Sequence, residues 1–145
     1  MIRQATSSDI KDILRLYKAG LNELGYTDWK ESLLVKKITE SFVLAPCFLI
    51  ENDGIISGMA GLTLVITSHN GVATLCDYMI YIDKDIRNIK ILGGLMDEIK
   101  RFADSQNLPV KLEFICNNDE EVRKRLYKRN GFTPRSVTGY YNGQK

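Results

Sequence analysis

Asp77 is a carboxylate inside an otherwise apolar, β-branched and aromatic run, Val72 to Ile82. Burial among such neighbours penalises the charged form and raises the carboxyl pKa, which makes a better base near neutral pH. The plainer alternative is an Asp that pairs with a cation or caps a backbone N–H. Directly after this run comes a short turn. A segment from about Ile89 to Ser105 follows, in which Leu92, Leu95, Met96, Ile99, Phe102 and Ala103 recur at three- and four-residue spacing. That period predicts an amphipathic helix. A strand feeding a turn that opens a helix presents free backbone N–H groups and a positive dipole end, a combination that can hold a phosphate. Cys47, Cys76 and Cys116 lie in apolar, strand-like segments and read as buried reduced thiols. With no Cys-x-x-Cys and one His, no metal site is expected.

These groups need elements to position them. Met1 to Ala5 reads as a first strand, and Thr6 with Asp9 three residues on reads as a helix start. Ile10, Ile13, Leu14, Leu16, Tyr17, Leu21 and Leu24 then form a broad helical stripe that Gly25 ends. Asp28 is a candidate cap for a second helix with Leu33, Leu34, Ile38 and Phe42 on one face, closed by Pro46. Cys47 to Glu51 and Ile55 to Thr67 read as strands joined by the hairpin turn Asn52-Asp53-Gly54. A second hairpin turn, Ser68 to Gly71, leads into the Asp77 strand, where period-two alternation puts Asp77 on one face with Leu75, Met79 and Tyr81. Beyond the Ile89 helix, a strand from Pro109 is expected to alternate Val110, Leu112, Phe114 and Cys116 on one side. Asn117, Asn118 and Asp119 offer caps for a helix containing Val122, Leu126 and Tyr127, which Gly131 ends. Phe132 to Tyr141 reads as a last β region and Asn142 to Lys145 as a frayed tail.

The chain of 145 residues suits a single domain, 1–145, with a sizeable core. A net charge of +2 and the lack of a basic stripe with interleaved aromatics argue against a nucleic-acid partner. No apolar run is long enough to span a bilayer and no signal-peptide pattern begins the sequence, so a cytoplasmic protein without a membrane partner is expected.

The order β-α-α-β-β-β-α-β-α-β resembles that of the GNAT superfamily of acetyl-CoA-dependent N-acetyltransferases. The run Tyr81-Ile-Asp-Lys-Asp-Ile86 is similar to the one that precedes the family's coenzyme loop. Arg87 matches the leading Arg of that loop, and Leu126-Tyr127 with Gly131-Phe132 resembles a second family signature. The loop's two glycines are replaced by Lys90 and Leu92, and Gly93-Gly94 come one position late. The resemblance implies an α/β fold: a mixed, mostly antiparallel twisted sheet of six to seven strands flanked by about four helices. It implies acetyl-CoA as co-substrate and a small-molecule or peptide amine as acceptor, attacked directly, in a monomer or homodimer. The pyrophosphate would lie on main-chain N–H groups of Arg87, Asn88, Ile89, Lys90, Ile91, Leu92 and Gly93. The pantetheine arm would pair with Ile80, Tyr81 and Ile82. Tyr127 would be the general acid and Asp77 the base. The missing glycines leave a rival: a protein of this fold, of a kind also encoded by phages, that has lost coenzyme binding and serves as a binding or structural module. Tyr26 and Trp29 between the first two helices, and Tyr140 and Tyr141, are weaker candidates for lining an acceptor pocket.

Overall fold

Five strands, β1 (Ile2–Gln4), β2 (Cys47–Asn52), β3 (Ile55–Ile66), β4 (Ala73–Ile82) and β5 (Val110–Lys111), lie side by side in the order of the chain. The structure is a computed structural model and describes residues 1–117 and 119–135. β1 to β4 pair antiparallel, and β4 with β5 is the one parallel pair among the described strands. Tight turns make the antiparallel part. Asp53 and Gly54 have φ of 51° and 78°, the two positive values a type I′ hairpin turn requires. The final β region and tail, with Asn118, Tyr140 and Tyr141, fall wholly or mostly outside the described residues. Among the described residues the sheet has five strands, against the expected six to seven.

Helices cover both faces. α1 (Ile10–Glu23), entered through a 3-10 turn at Ser7–Asp9, and α2 (Glu31–Phe42) lie over one face. α3 (Ile89–Gln106) and α4 (Glu120–Arg129) lie over the other. The amide of Thr6 donates to the Asp9 carboxylate at 2.8 Å, so the expected capping pair forms. α2 starts at Glu31 with Lys30, rather than Asp28, in the cap position, and Leu33 stays exposed. Leu34 and Ile38 carry that helix's buried face.

A bulge divides β4. Gly61 opposes Met79 and Leu62 opposes Asp77, so Tyr78 is an extra residue. Gly61 makes the room, since a Cβ there would sit 2.4 Å from Cζ of the Tyr78 ring. One extra residue shifts the pleat by one. Leu75 therefore packs under α3, while Met79 and Tyr81 pack under α1. The expected shared face of Leu75, Asp77, Met79 and Tyr81 is broken at this point.

β5 is shorter than its alternating sequence suggests. Leu75 pairs with Val110 and Cys76 with Lys111; contact resumes at an isolated bridge between Ile80 and Ile115. In the gap the Asp77 carboxylate replaces the ladder. Its oxygens accept the amides of Glu113 and Phe114, each at 2.8 Å. Ile115 and Cys116 are both buried, so the expected one-sided alternation ends there.

Candidate functional site

Past the Ile80–Ile115 bridge the two parallel strands part, and a cleft of about 140 Å³ opens between the end of β4, the start of α3 and the flank of α4. Ile80, Ile82 and Ile115 form its apolar floor, with Leu92, Val122 and Leu126 from the two helices. Arg87, Asn88 and Ile89 edge the α3 side, and Cys116 and Asn117 the other.

The backbone donors at this mouth follow from the local sequence. Asn88 caps α3: its side chain accepts the Ile91 amide at 2.9 Å and its carbonyl the Leu92 amide at 3.1 Å. These bonds spend the Ile91 and Leu92 amides, and the Gly93 amide lies inside the helix, where N–H groups bond four residues back. The amides of Arg87, Asn88, Ile89 and Lys90 have no acceptor among the described residues. The seven-residue expectation thus narrows to four amides at a helix N-terminus. Leu92 is 6% exposed and packed in the core, where its side chain forms part of the cleft's apolar lining. Gly94 serves packing as well: a Cβ there would lie 2.9 Å from Cδ1 of Ile2.

Ile80 bonds across to the β5 segment through both its N–H and its C=O. Two residues on, Ile82 presents its backbone to the same side. Its carbonyl accepts Arg87 Nε at 3.0 Å and Nη2 at 2.7 Å, while its N–H has no acceptor among the described residues. An unpaired N–H at the point where two strands separate is a donor for an incoming carbonyl oxygen.

The two expected catalytic side chains stand elsewhere. Neither lines the cleft. Asp77 is 5% exposed with both oxygens engaged by amides. Burial pushes its carboxyl up to about 6, against the opposing pull of the Glu113 and Phe114 N–H groups. The Tyr127 hydroxyl donates to the Leu112 carbonyl at 2.9 Å, its ring packs on Phe132 at 6.1 Å, and burial raises its pKa. Both geometries tie the segment after β5, residues 112–114, to its neighbours β4 and α4. Tyr81 packs on the α1 face instead of the cleft floor. Arg123 donates to the Asn117 carbonyl at 2.8 Å, and Trp29 donates to Asn22 at 3.0 Å under the Lys18 ammonium.

Glu23 was not legible as a site residue. It closes α1, where a carboxylate opposes the helix dipole and no basic residue offsets it; that misplacement was the available signal. Its carboxylate holds Arg87 through two bonds, Nη1 at 3.0 Å and Nη2 at 3.1 Å, with Lys84 at 3.5 Å, and accepts the Cys116 thiol. Burial opposes its charge, yet the bonds from Arg87 and Cys116 prevail and its pKa is lowered. Burial, then the bond to Glu23, pushes the Cys116 thiol up to about 12, so this cleft-wall cysteine is a poor nucleophile.

This fold, with a parallel β4–β5 pair opening onto a helix N-terminus, is shared with solved acetyltransferase structures. No protein-family model and no curated protein matches the sequence. Among solved structures, the chain is similar to a predicted acetyltransferase of Clostridium acetobutylicum solved with acetyl-CoA (TM-score 0.78, 18% identity, 98% of this chain and 95% of that one). It is also similar to AAC(6')-Iy bound to a CoA-S-monomethyl-acetylneamine bisubstrate analogue (0.75, 15%, 100% and 98%). A ribosomal-protein-alanine N-acetyltransferase of Brucella melitensis matches at TM-score 0.70 and 15% identity, over 98% and 96% of the two chains. Among the described residues no helix is long and apolar enough to cross a membrane, and no cluster of metal-ligating side chains occurs.

Proposed function

We propose that the protein is an N-acetyltransferase that moves the acetyl group of acetyl-CoA to a primary amine of a small molecule or peptide. The observation that carries this reading is the set of open amides of Arg87 to Lys90 at the α3 N-terminus, with the open Ile82 N–H beside them in one cleft. The amides and the helix dipole suit a pyrophosphate, Lys90 adds an exposed cation, and the apolar floor suits an extended arm. Acetyl-CoA supplies an activated thioester. The Ile82 N–H is placed to donate to its carbonyl oxygen as negative charge grows there. Binding through backbone donors explains how the loop tolerates Lys90 and Leu92 in place of glycines.

One observation favours a second reading, a non-catalytic module of the same fold: the Asp77 and Tyr127 polar groups are both engaged away from the cleft. Thermal unfolding with acetyl-CoA, and with ATP as control, separates coenzyme binding from its loss. A ligand at 100 times its Kd stabilises by about 2.7 kcal/mol, a shift of roughly 5–10 °C for a chain of this size. That shift with acetyl-CoA, well above the shift with ATP, is expected, followed by thiol release with a panel of amines. No shift at millimolar acetyl-CoA sinks the transferase reading; a shift without turnover on any amine favours the module.

A further inference from the structure

We infer that Glu23, on the far side of the sheet from α3, is a positioning residue for the coenzyme loop, acting through Arg87. This inference rests on the transferase reading above. The Arg87 guanidinium does not face the open amides. It points inward, bonds the Ile82 carbonyl twice and meets the Glu23 carboxylate through two further bonds. Its plane also lies over the Tyr81 ring, 5.5 Å from the centroid. Arg87 is therefore the peg that ties the first residue of the loop to the last residue of β4, and Glu23 is what fixes the peg. The fork of the guanidinium matches both acceptors, so the clamp specifies orientation as well as distance.

Both ends of the clamp carry a proposed donor. The amide of Arg87 itself is the first of the four open amides, and the Ile82 N–H belongs to the residue whose carbonyl Arg87 holds. A loop without glycines has a backbone that packing must set. Ordering it before the coenzyme arrives removes an entropic cost from binding. The position of Glu23 is in turn set by α1, which lies so close to β4 that a Cβ at Gly20 would be 2.5 Å from Met79 Sδ. The Cys116 thiol, at the cleft wall, donates to Glu23 Oε2, the same oxygen that accepts Arg87 Nη1.

The test is a double-mutant cycle on acetyl-CoA binding, by titration calorimetry well below the unfolding transition of each variant. Glu23→Gln is expected to weaken acetyl-CoA by about tenfold in the natural background and by less than about twofold in an Arg87→Ala background. In turnover with an amine from the panel, the acetyl-CoA KM rises by the same factor while the acceptor KM stays within about twofold. A purely structural role would not confine the change to one substrate. Should Glu23→Gln fail to fold, Glu23→Asp, which keeps the charge and withdraws it by one methylene, takes its place with the same thresholds. If the natural protein binds and the Glu23 variant matches it within about twofold, or the loss is equal in both backgrounds, the inference is overturned and the transferase reading stands. If the natural protein binds no acetyl-CoA, both fall together.

Discussion

Asp77 replaces two rungs of a β-ladder with one side chain. Its sequence surroundings signalled a carboxyl with a raised pKa, and the carboxyl is indeed pushed up to about 6 by burial. What the sequence could not display is the pair of amides it accepts, because those come from residues 113 and 114, far along the chain. Asp77→Asn presents an NH2 to one of two partly buried N–H groups, and we expect a loss of about 1–3 kcal/mol in denaturant unfolding. A loss below about 0.5 kcal/mol would mean the two bonds contribute little. Tyr127 was legible as a residue of interest for the same reason, its place in a recognisable pattern, yet its hydroxyl reaches the Leu112 carbonyl. Tyr127→Phe is expected to cost about 1 kcal/mol in stability and to leave kcat within about tenfold of the natural value. A fall of about a hundredfold or more at unchanged KM would restore the general-acid role.

At the scale of elements, periodicity and turn chemistry revealed much. The α3 stripe, the Asn52–Gly54 hairpin and the order of the described elements could all be read because each is encoded within a few neighbouring residues. The bulge at Tyr78 escaped, since it depends on Gly61 lying opposite in another strand. One unforeseen residue then turned the face assignment of everything after it. The same limit applies to β5, whose alternation is strand-like but whose amides are claimed by Asp77. Leu92 and Lys90 separate loop chemistry from packing. Leu92→Ala removes a core side chain at 6% exposure and should cost about 2–5 kcal/mol. Lys90→Gly touches an exposed first-turn position and should cost no more than about 1 kcal/mol. If backbone amides are what bind, Lys90→Gly leaves acetyl-CoA affinity within about fivefold, by calorimetry. An affinity gain of tenfold or more would show that the native residue obstructs the loop.

For the whole molecule, stability against pH should carry two opposed slopes. Asp9, bonded to Arg3, has its carboxyl held down at about 2. A depressed carboxyl adds stability that is complete above its unfolded pKa near 3.8 and is lost as pH falls toward 2. Asp77 works the other way. Its folded pKa near 6 exceeds the unfolded value of 3.8, so the folded state binds the extra proton between them. Its contribution is complete below about pH 4 and is lost as pH rises through 6. Urea unfolding at successive pH values should therefore show stability declining from about pH 4 to 6, and Asp77→Asn should flatten that limb while leaving the acid limb in place. An unchanged decline in the variant would assign it to another group.

The close seat of α1 on β4 at Gly20 has a mechanical consequence. A helix whose backbone abuts Met79 cannot tilt or slide without displacing a fully buried side chain. The connection between α1 and α2, residues 24–30, has no such seat: Tyr26 is half-exposed and Gly25 sits at a φ of 88°. We expect that segment to be more compliant than α1 itself. Amide hydrogen exchange should reveal it, with residues 24–30 exchanging much faster than the middle of α1 and slowing when an acceptor is bound. Uniform protection across α1 and its connection would place the give elsewhere.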